Sequence, residues 1–548
     1  MTATLIDVFA RHHGSGFFLS RLSPFIKLLV LIMAGVAQAW SLATPWDGQP
    51  AGWLQYLAMG VLAWHLEQSS SARGAALQSW VFATSWLAAT FGWLYVAMNT
   101  YGGLNGMVAA TAVCALAGAL ALYYAAAGAA LVAWRPAQLW YRSVLFASLW
   151  LLAELARGVW LTGFGWGAVG YAHVDDLAAF APWIGVYGIG ALAACLAYGL
   201  AVGFTAPSRA LPVRALIGLV PVAVASALPL APFSHPQGQF SVALLQGNIA
   251  QNEKFEAGTG VADALGWYGQ ELRLQTADLV VAPETALPVL PEQLPPGYLD
   301  DISDAYATGQ RAALLGLPLG NSDSGYTNSV MGFQSRSAES RTDAAIAYRY
   351  DKHHLVPFGE FIPPLFRWFT NLMNIPLGDF SRGGVGQSSF DWAAKGQRLA
   401  PNVCYEDLFG EELGARFVDA SKAPTVLVNV SNLAWFGNTT ALDQHRQISR
   451  MRALEFERPV LRATNTGDTA IINHLGQVTN ALPRQTRGVL MGQVQGRTGV
   501  TPYAWWVSRG GVWPWWLMAA AVVVAAWRLR RRSGVVGWVA GVTGREGS

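Results

Sequence analysis

Long apolar runs almost without charge occupy most of the first 233 residues of this 548-residue chain, and they constrain its fold more than any other feature. A hydrocarbon core about 30 Å thick demands about 20 apolar residues in helical form, because lipid offers the backbone no other hydrogen-bond partner. Candidate spans lie at 24–43, 53–67, 77–98, 107–133, 138–157, 181–206, 214–233 and 510–527, the second being the shortest. The first run follows Arg11 and Arg21 and lacks a small-residue cleavage site with a polar mature region behind it, so it reads as a retained span. Charge is distributed accordingly: residues 1–240 hold 15 Asp, Glu, Lys and Arg, residues 241–509 hold 48, and residues 510–548 hold 6. An apolar body therefore carries a soluble insert. With 53% hydrophobic residues and a mean hydropathy of +0.30, disorder, a collagen-like fibre and a plain cytosolic enzyme are excluded.

With eight spans and the N-terminus inside, the inner loops carry Arg73, Arg135, Arg142, Arg209, Arg214 and the cluster Arg528, Arg530, Arg531 and Arg532. The outer loops carry Asp47, Asp175 and Asp176. This asymmetry follows the positive-inside rule and puts the charged insert on the outer, periplasmic face of a bacterial inner membrane. The expected organisation is a membrane domain of about seven helices over 1–233, a soluble domain over 234–509, and a last helix with a basic cytoplasmic tail over 510–548. A net charge of +3 is too weak to imply a nucleic-acid partner. Cys114 and Cys195 lie in apolar stretches and Cys404 is the one cysteine of the charged region, so no disulfide framework is available.

Within the insert, residues 240–246, 278–282, 312–317, 343–350, 398–404 and 424–430 are short apolar or alternating runs bounded by turn residues, and 261–276 and 441–457 have helical periodicity. That alternation predicts an α/β sandwich with its chemistry at strand ends. Three reactive residues stand at such ends: Glu284 after Leu279-Val280-Val281-Ala282-Pro283, Lys352 after Tyr348-Arg349-Tyr350-Asp351, and Cys404 after Leu399-Ala400-Pro401-Asn402-Val403. Singly, each has an ordinary explanation as a solvated turn, an edge cap or a core thiol. Together they are the set that acyl transfer through a thioester requires: a base for the thiol, a cation for the oxyanion, and an acid for the leaving group. His353 and His354 adjoin the lysine, but nothing in the sequence singles either out as the base.

The phrases Ala282-Pro283-Glu284-Thr285-Ala286, Lys352-His353-His354-Leu355-Val356-Pro357-Phe358-Gly359-Glu360 and Val403-Cys404-Tyr405-Glu406 resemble the Glu-Lys-Cys signatures of the nitrilase superfamily. More narrowly, the chain resembles the bacterial apolipoprotein N-acyltransferase family, in which a nitrilase-like domain is inserted before the last of eight membrane helices. Asn429-Val430-Ser431-Asn432-Leu433-Ala434-Trp435-Phe436-Gly437, Arg452-Ala453-Leu454-Glu455, Arg462-Ala463-Thr464-Asn465-Thr466-Gly467, Glu154-Leu155-Ala156-Arg157-Gly158 and Thr162-Gly163-Phe164-Gly165-Trp166 extend the likeness over nearly the whole chain. The resemblance implies that Cys404 is the nucleophile, Glu284 the general base and acid, and Lys352 the oxyanion-stabilising cation. It also sets Glu360, Tyr405 and Glu406 on positions needed for activity. For Glu360, the residues alone leave open whether it holds the ammonium for catalysis or forms a structural salt bridge. Two positions depart from the family pattern: Phe255 replaces a usual Trp and loses its indole N–H, and Leu433 stands where Asp is common.

The partners implied are a phospholipid acyl donor, a diacylated apolipoprotein acceptor and the membrane itself, with a monomer favoured. No cofactor is expected, and neither metal-ligand spacing nor a phosphate-binding loop is present. Phe255, Phe358, Trp435 and Phe436 are the aromatic candidates for substrate contact. Phe358, Phe361, Phe366, Trp368 and Phe369 around Pro357, Pro363 and Pro364 read either as a core under a loop or as a mobile lid on the membrane surface. Glu154 and Arg157, one turn apart, read as a structural ion pair. Two rivals remain at this level: a membrane-anchored amidase or acyltransferase with another acceptor, and a transport or conjugation-related protein without catalysis.

Overall fold

The structure, a computed structural model, describes residues 23–205, 228, 231–323, 325–335, 348–362 and 380–543. Six apolar helices open the chain: α1 (Pro24–Leu42), α2 (Gly52–Gln68), α3 (Ala72–Thr90), α4 (Gly106–Ala133), α5 (Leu139–Val159) and α6 (Ala181–Thr205). Their starts are written in the sequence, with the Ser23, Ser71 and Asn105 side chains accepting from the first-turn amides of α1, α3 and α4. Helix α4 buries Ala109, Val113, Ala117, Ala121 and Ala125 at every fourth position and then Gly128, a mostly small-residue stripe that lets α3 approach closely. Any Cβ at Gly128 would overlap Ser79 of α3.

Among the described residues, four helices are long and apolar enough to cross a membrane, or up to six if each of two bent pairs counts as one span. The bent pairs are α3 with Leu94–Tyr101 and the C-terminal Pro502–Gly510 with Trp513–Arg532. The expected 53–67 span is a 17-residue helix, α2, and the expected 214–233 span lies outside the described residues, as do most of the aromatics of the expected lid, Phe366, Trp368 and Phe369. Between α5 and α6 the chain turns through Leu161 and Gly163, both at positive φ, into a compact buried segment over 164–173. The expected Glu154–Arg157 ion pair is not formed. Glu154 instead accepts the Val169 N–H at 2.8 Å, and Arg157 donates to the carbonyls of Phe164 and Trp166 at 2.7 Å each, so both side chains hold that segment. The backbone groups of an irregular segment at membrane depth need such partners.

The charged region is a sandwich of two six-stranded sheets. The first has the order β12-β1-β2-β3-β4-β5 and the second β11-β10-β9-β8-β7-β6. The strands are β1 (His235–Gln246), β2 (Leu279–Val281), β3 (Ala312–Asn321), β4 (Gly325–Gln334), β5 (Tyr348–Asp351), β6 (Phe390–Trp392), β7 (Gln397–Val403), β8 (Val426–Ser431), β9 (Val460–Thr464), β10 (Ala470–Ile472), β11 (Val478–Ala481) and β12 (Gly488–Thr498). Parallel pairs β1–β2–β3 and β7–β8–β9 form the middle of each sheet, with antiparallel strands outside. Alternation sorts the faces: Phe240, Val242 and Leu244 meet Val426, Val428 and Val430 between the sheets. Ala243 and Leu245 instead pack on α7 (Ala262–Leu274) and α8 (Tyr298–Asp304). On the other outer face lie α9 (Thr440–Phe456) and α10 (Pro502–Gly510), before the final α11 (Trp513–Thr543).

Helix α9 joins sandwich to membrane part. Polar as it is, 15 of its 17 residues are buried, because its side chains bond the helical bundle. Gln444 accepts from the indoles of Trp93 and Trp166 at 3.0 and 2.7 Å, Gln447 donates to the Gly48 carbonyl at 3.1 Å, Glu455 accepts the Val186 N–H at 2.7 Å, and Arg450 pairs with Asp175.

Candidate active site

Glu284 follows β2 in a turn that carries Thr285 at φ +44°, Lys352 is the first residue after β5, and Cys404 directly follows β7. All three strands end at the same edge of the sandwich, which brings the side chains together. The Lys352 ammonium, 1% exposed, lies 3.3 Å from Glu284 Oε1 and 2.9 Å from Glu360 Oε1. Asn328 on β4 donates from one Nδ2 to both carboxylates, at 2.7 and 2.8 Å, and its own carbonyl receives the Lys352 N–H. The other oxygen of Glu284 accepts the Asn432 N–H at 2.8 Å, and that of Glu360 accepts the Val356 N–H at 2.8 Å. Burial alone would discharge a lysine here. Glu284 and Glu360 outweigh it and hold the Lys352 pKa above its ordinary value.

Cys404 opens a short 3-10 helix at φ +53°, a strained conformation for a residue with a side chain. Its thiol pKa is raised, first by desolvation and then by the Glu284 charge, against the pull of Lys352. Desolvation thus favours the thiol over the thiolate in the resting site. Glu406 ties the surrounding loops: it accepts from the Tyr350 hydroxyl at 2.8 Å, from the N–H groups of His353 and His354 at 2.7 and 3.2 Å, and from Val403 N–H at 2.6 Å. One carboxylate thus fastens the lysine loop to the cysteine turn. Tyr405 reaches the membrane part, its hydroxyl 3.3 Å from the Gly163 carbonyl and its ring stacked on Phe164. Neither neighbouring histidine faces the thiol: His353 bonds the Gly383 carbonyl at 2.7 Å, and His354 bonds Glu412 at 2.9 Å while stacking on Phe409.

The aromatic candidates are dispersed. Phe436 packs on Trp93 with centroids 4.4 Å apart, in the same apolar cluster that Cys404 touches. Trp435 meets Tyr101 edge to face, Phe358 sits at φ +63° beside the Glu360 loop, and Phe255 is 49% exposed. Its neighbour Lys254, not the aromatic residue, enters the site: the buried ammonium donates to the Glu284 carbonyl at 3.3 Å and to Thr285 Oγ1 at 2.6 Å, and burial pushes its pKa down to about 8. Leu433 is 1% exposed within the apolar cluster shared with the membrane helices. Sequence reasoning passed over Lys254, Asn328 and Asn432. Lys254 lay in view within the phrase Gln251-Asn252-Glu253-Lys254-Phe255 and Asn432 within the phrase from Asn429 to Gly437, whereas Asn328 stood in no such phrase.

A two-sheet sandwich flanked by helices, with carboxylate, ammonium and thiol at one edge, defines the carbon-nitrogen hydrolase class. The family model for carbon-nitrogen hydrolases matches residues 241–503, and that for the apolipoprotein N-acyltransferase N-terminal domain matches residues 34–199. An apolipoprotein N-acyltransferase of Verminephrobacter eiseniae is 56% identical over 88% of this chain and 92% of its own. One of Ralstonia nicotianae is 42% identical, over 88% and 90%, and one of Bordetella bronchiseptica is 41% identical, over 87% and 92%. The chain belongs to the apolipoprotein N-acyltransferase family and is an acyltransferase of the bacterial membrane.

Proposed function

We propose that Cys404 carries a fatty acyl group as a thioester from a phospholipid to the N-terminal α-amine of a diacylglyceryl-cysteine apolipoprotein. Glu284 takes the thiol proton, the sulfur attacks the ester carbonyl, and Lys352 faces the oxygen that becomes negative. Collapse breaks the ester C–O bond, and Glu284 returns the proton to the departing lysophospholipid oxygen. The α-amine then attacks the thioester, Glu284 takes its proton, and as the C–S bond breaks Glu284 passes that proton to the sulfur, restoring the Cys404 thiol and the Glu284 carboxylate. Glu360 and Asn328 hold the lysine and the base at fixed separation, so both charges are set before substrate arrives.

The observation that carries this reading is the position of the thiol. Cys404 packs at once against the core between the sheets and against the apolar cluster of the membrane helices. A small soluble amide needs no such setting, whereas an acyl chain does. In the full arrangement eight spans cross the membrane, with residues 1–233 as the membrane domain, 234–509 as a catalytic domain on the periplasmic face, and 510–548 as the last helix and tail. The test is incubation of purified enzyme with bacterial phospholipid and a diacylated lipopeptide. We expect N-acylated peptide, and a thioester on Cys404 by mass spectrometry when the peptide is omitted. Cleavage of small amides without N-acylated peptide would overturn the assignment, and product formation by a Cys404→Ser variant would overturn the covalent route.

A further inference from the structure

His445 lies in α9, 0% exposed, with no part in the proton transfers above. Its Nε2 is 3.2 Å from the carbonyl oxygen of Cys404, and its Nδ1 is 3.3 Å from Nη2 of Arg462. A guanidinium only donates, so Nδ1 accepts and the ring proton sits on Nε2, aimed at the Cys404 carbonyl. Asp407, 3.8 Å from Nε2, is more distant than that carbonyl. Asn429 on β8 donates to the same carbonyl from Nδ2 at 3.1 Å, while its own carbonyl is occupied by Ser431 Oγ. The His445 ring packs against Trp166 at a tilt of 34°, with centroids 5.5 Å apart, and Trp166 belongs to the segment that Arg157 and Glu154 hold between α5 and α6.

We infer that His445, with Asn429, is a positioning residue for the nucleophile turn: together they clamp the Cys404 carbonyl and so fix the direction of the Tyr405 N–H. A trans peptide is planar, so its C=O and N–H point opposite ways. Holding the oxygen toward β8 and α9 turns the Tyr405 N–H away from them. That N–H stands in the first turn of a 3-10 helix and has no acceptor within its own helix. The N–H after a nucleophile on a sharp strand-to-helix turn is where an oxyanion donor is found. The clamp also offsets the strain of Cys404 at φ +53°. Because Trp166 backs the His445 ring, the membrane segment is part of the support, and the catalytic turn is set only when sandwich and helices are docked.

This inference rests on Cys404 forming the acyl thioester, and the experiment separates the two claims. In detergent-solubilised full-length enzyme, single-turnover acylation of Cys404 by bacterial phospholipid micelles is compared with alkylation of the same thiol by iodoacetamide, a displacement that builds no oxyanion. His445→Ala should slow acylation by about 10²-fold, the scale of a misplaced or missing oxyanion donor, with the concentration dependence on phospholipid unchanged. Alkylation should stay within about twofold of wild type, and His445→Gln, which restores an N–H donor, should recover at least about tenfold of the loss. Unchanged acylation in His445→Ala, a parallel fall in alkylation, or no recovery in His445→Gln each overturns the clamp. If wild-type enzyme makes N-acylated peptide while Cys404 stays unmodified, the thioester itself fails.

Discussion

Lys352 places one positive charge between two carboxylates, and Asn328 bridges the same two with a single amide nitrogen. Both carboxylates also act on the thiol, Glu284 more strongly than Glu360. Replacing Glu284 by Gln removes the proposed proton acceptor while Glu360 still pairs with Lys352. Acylation and transfer should both fall by about 10²–10⁴-fold, with a melting temperature close to wild type. A steep drop in melting temperature would mean instead that the carboxylate holds the fold. The three reactive side chains and Glu360 were legible because each stands in a phrase with distinctive neighbours. Asn328 and His445 were not, since a mid-strand Asn and a buried His on a polar helix have no local signature. Their roles come from strand register and from what α9 packs against, which are properties of the tertiary fold.

Among the elements, the short helix Gly410–Gly414 behind the cysteine turn carries adjacent acids, Glu411 and Glu412. Burial, then the neighbouring Glu412 charge, pushes the Glu411 pKa up from 4.5 to about 7. Folded protein therefore binds more protons than unfolded protein between about pH 4.5 and 7, and stability declines as pH rises through that window. Glu411→Gln removes the ionisation. Its melting temperature should exceed wild type at pH 8 and converge with it below pH 4.5, as thermal melts across that range would show; a constant difference would place the effect elsewhere. The turn into the 164–173 segment depends on Gly163, at φ +72°, where a Cβ would overlap the Gly158 carbonyl. Gly163 also receives the Tyr405 hydroxyl. Gly163→Ala should accordingly lower both the melting temperature and the acylation rate, whereas Gly165→Ala, at a glycine whose nearest neighbour is the Tyr187 hydroxyl at 3.5 Å, should do neither strongly. Helices α7 and α9 follow their sequence periodicity within a few residues, as do β1, β2, β3, β7 and β8. Strand periodicity leaves β4, β6, β9, β10, β11 and β12 unassigned, although β4 and β12 run ten and eleven residues, and their pairing is decided by the sheets they complete.

For the whole molecule, the two ends of α2 are chemically distinct. At its start Gly52 lies against His173 and Asp176, in the region that docks on the sandwich. At its end Glu67 pairs with Arg142 at 2.8 Å, and the Arg135 guanidinium donates to the carbonyls of Leu66 and Glu67 at 2.5 and 3.1 Å. The 17 residues of α2 separate these ends by about 25 Å, close to the thickness of a hydrocarbon core. Among the described residues, Asp175 and Asp176 thus lie toward the sandwich end of α2, and Arg135 and Arg142 lie at its other end. Hydropathy already puts the short α2 at 53–67 and the start of the last span at 510, but it does not show the 87° bend between α10 and α11. In a background with Cys114 and Cys195 replaced and Cys404 retained as a slow internal reference, a cysteine placed at Asp323 should react with a membrane-impermeant maleimide in intact spheroplasts. One placed at Ser533, just beyond the Arg528–Arg532 cluster, should react only after the membrane is opened. Labelling in the reverse order would invert the topology and put the site on the wrong face for an exported acceptor. Equal labelling of both positions without permeabilisation would mean that α11 does not cross.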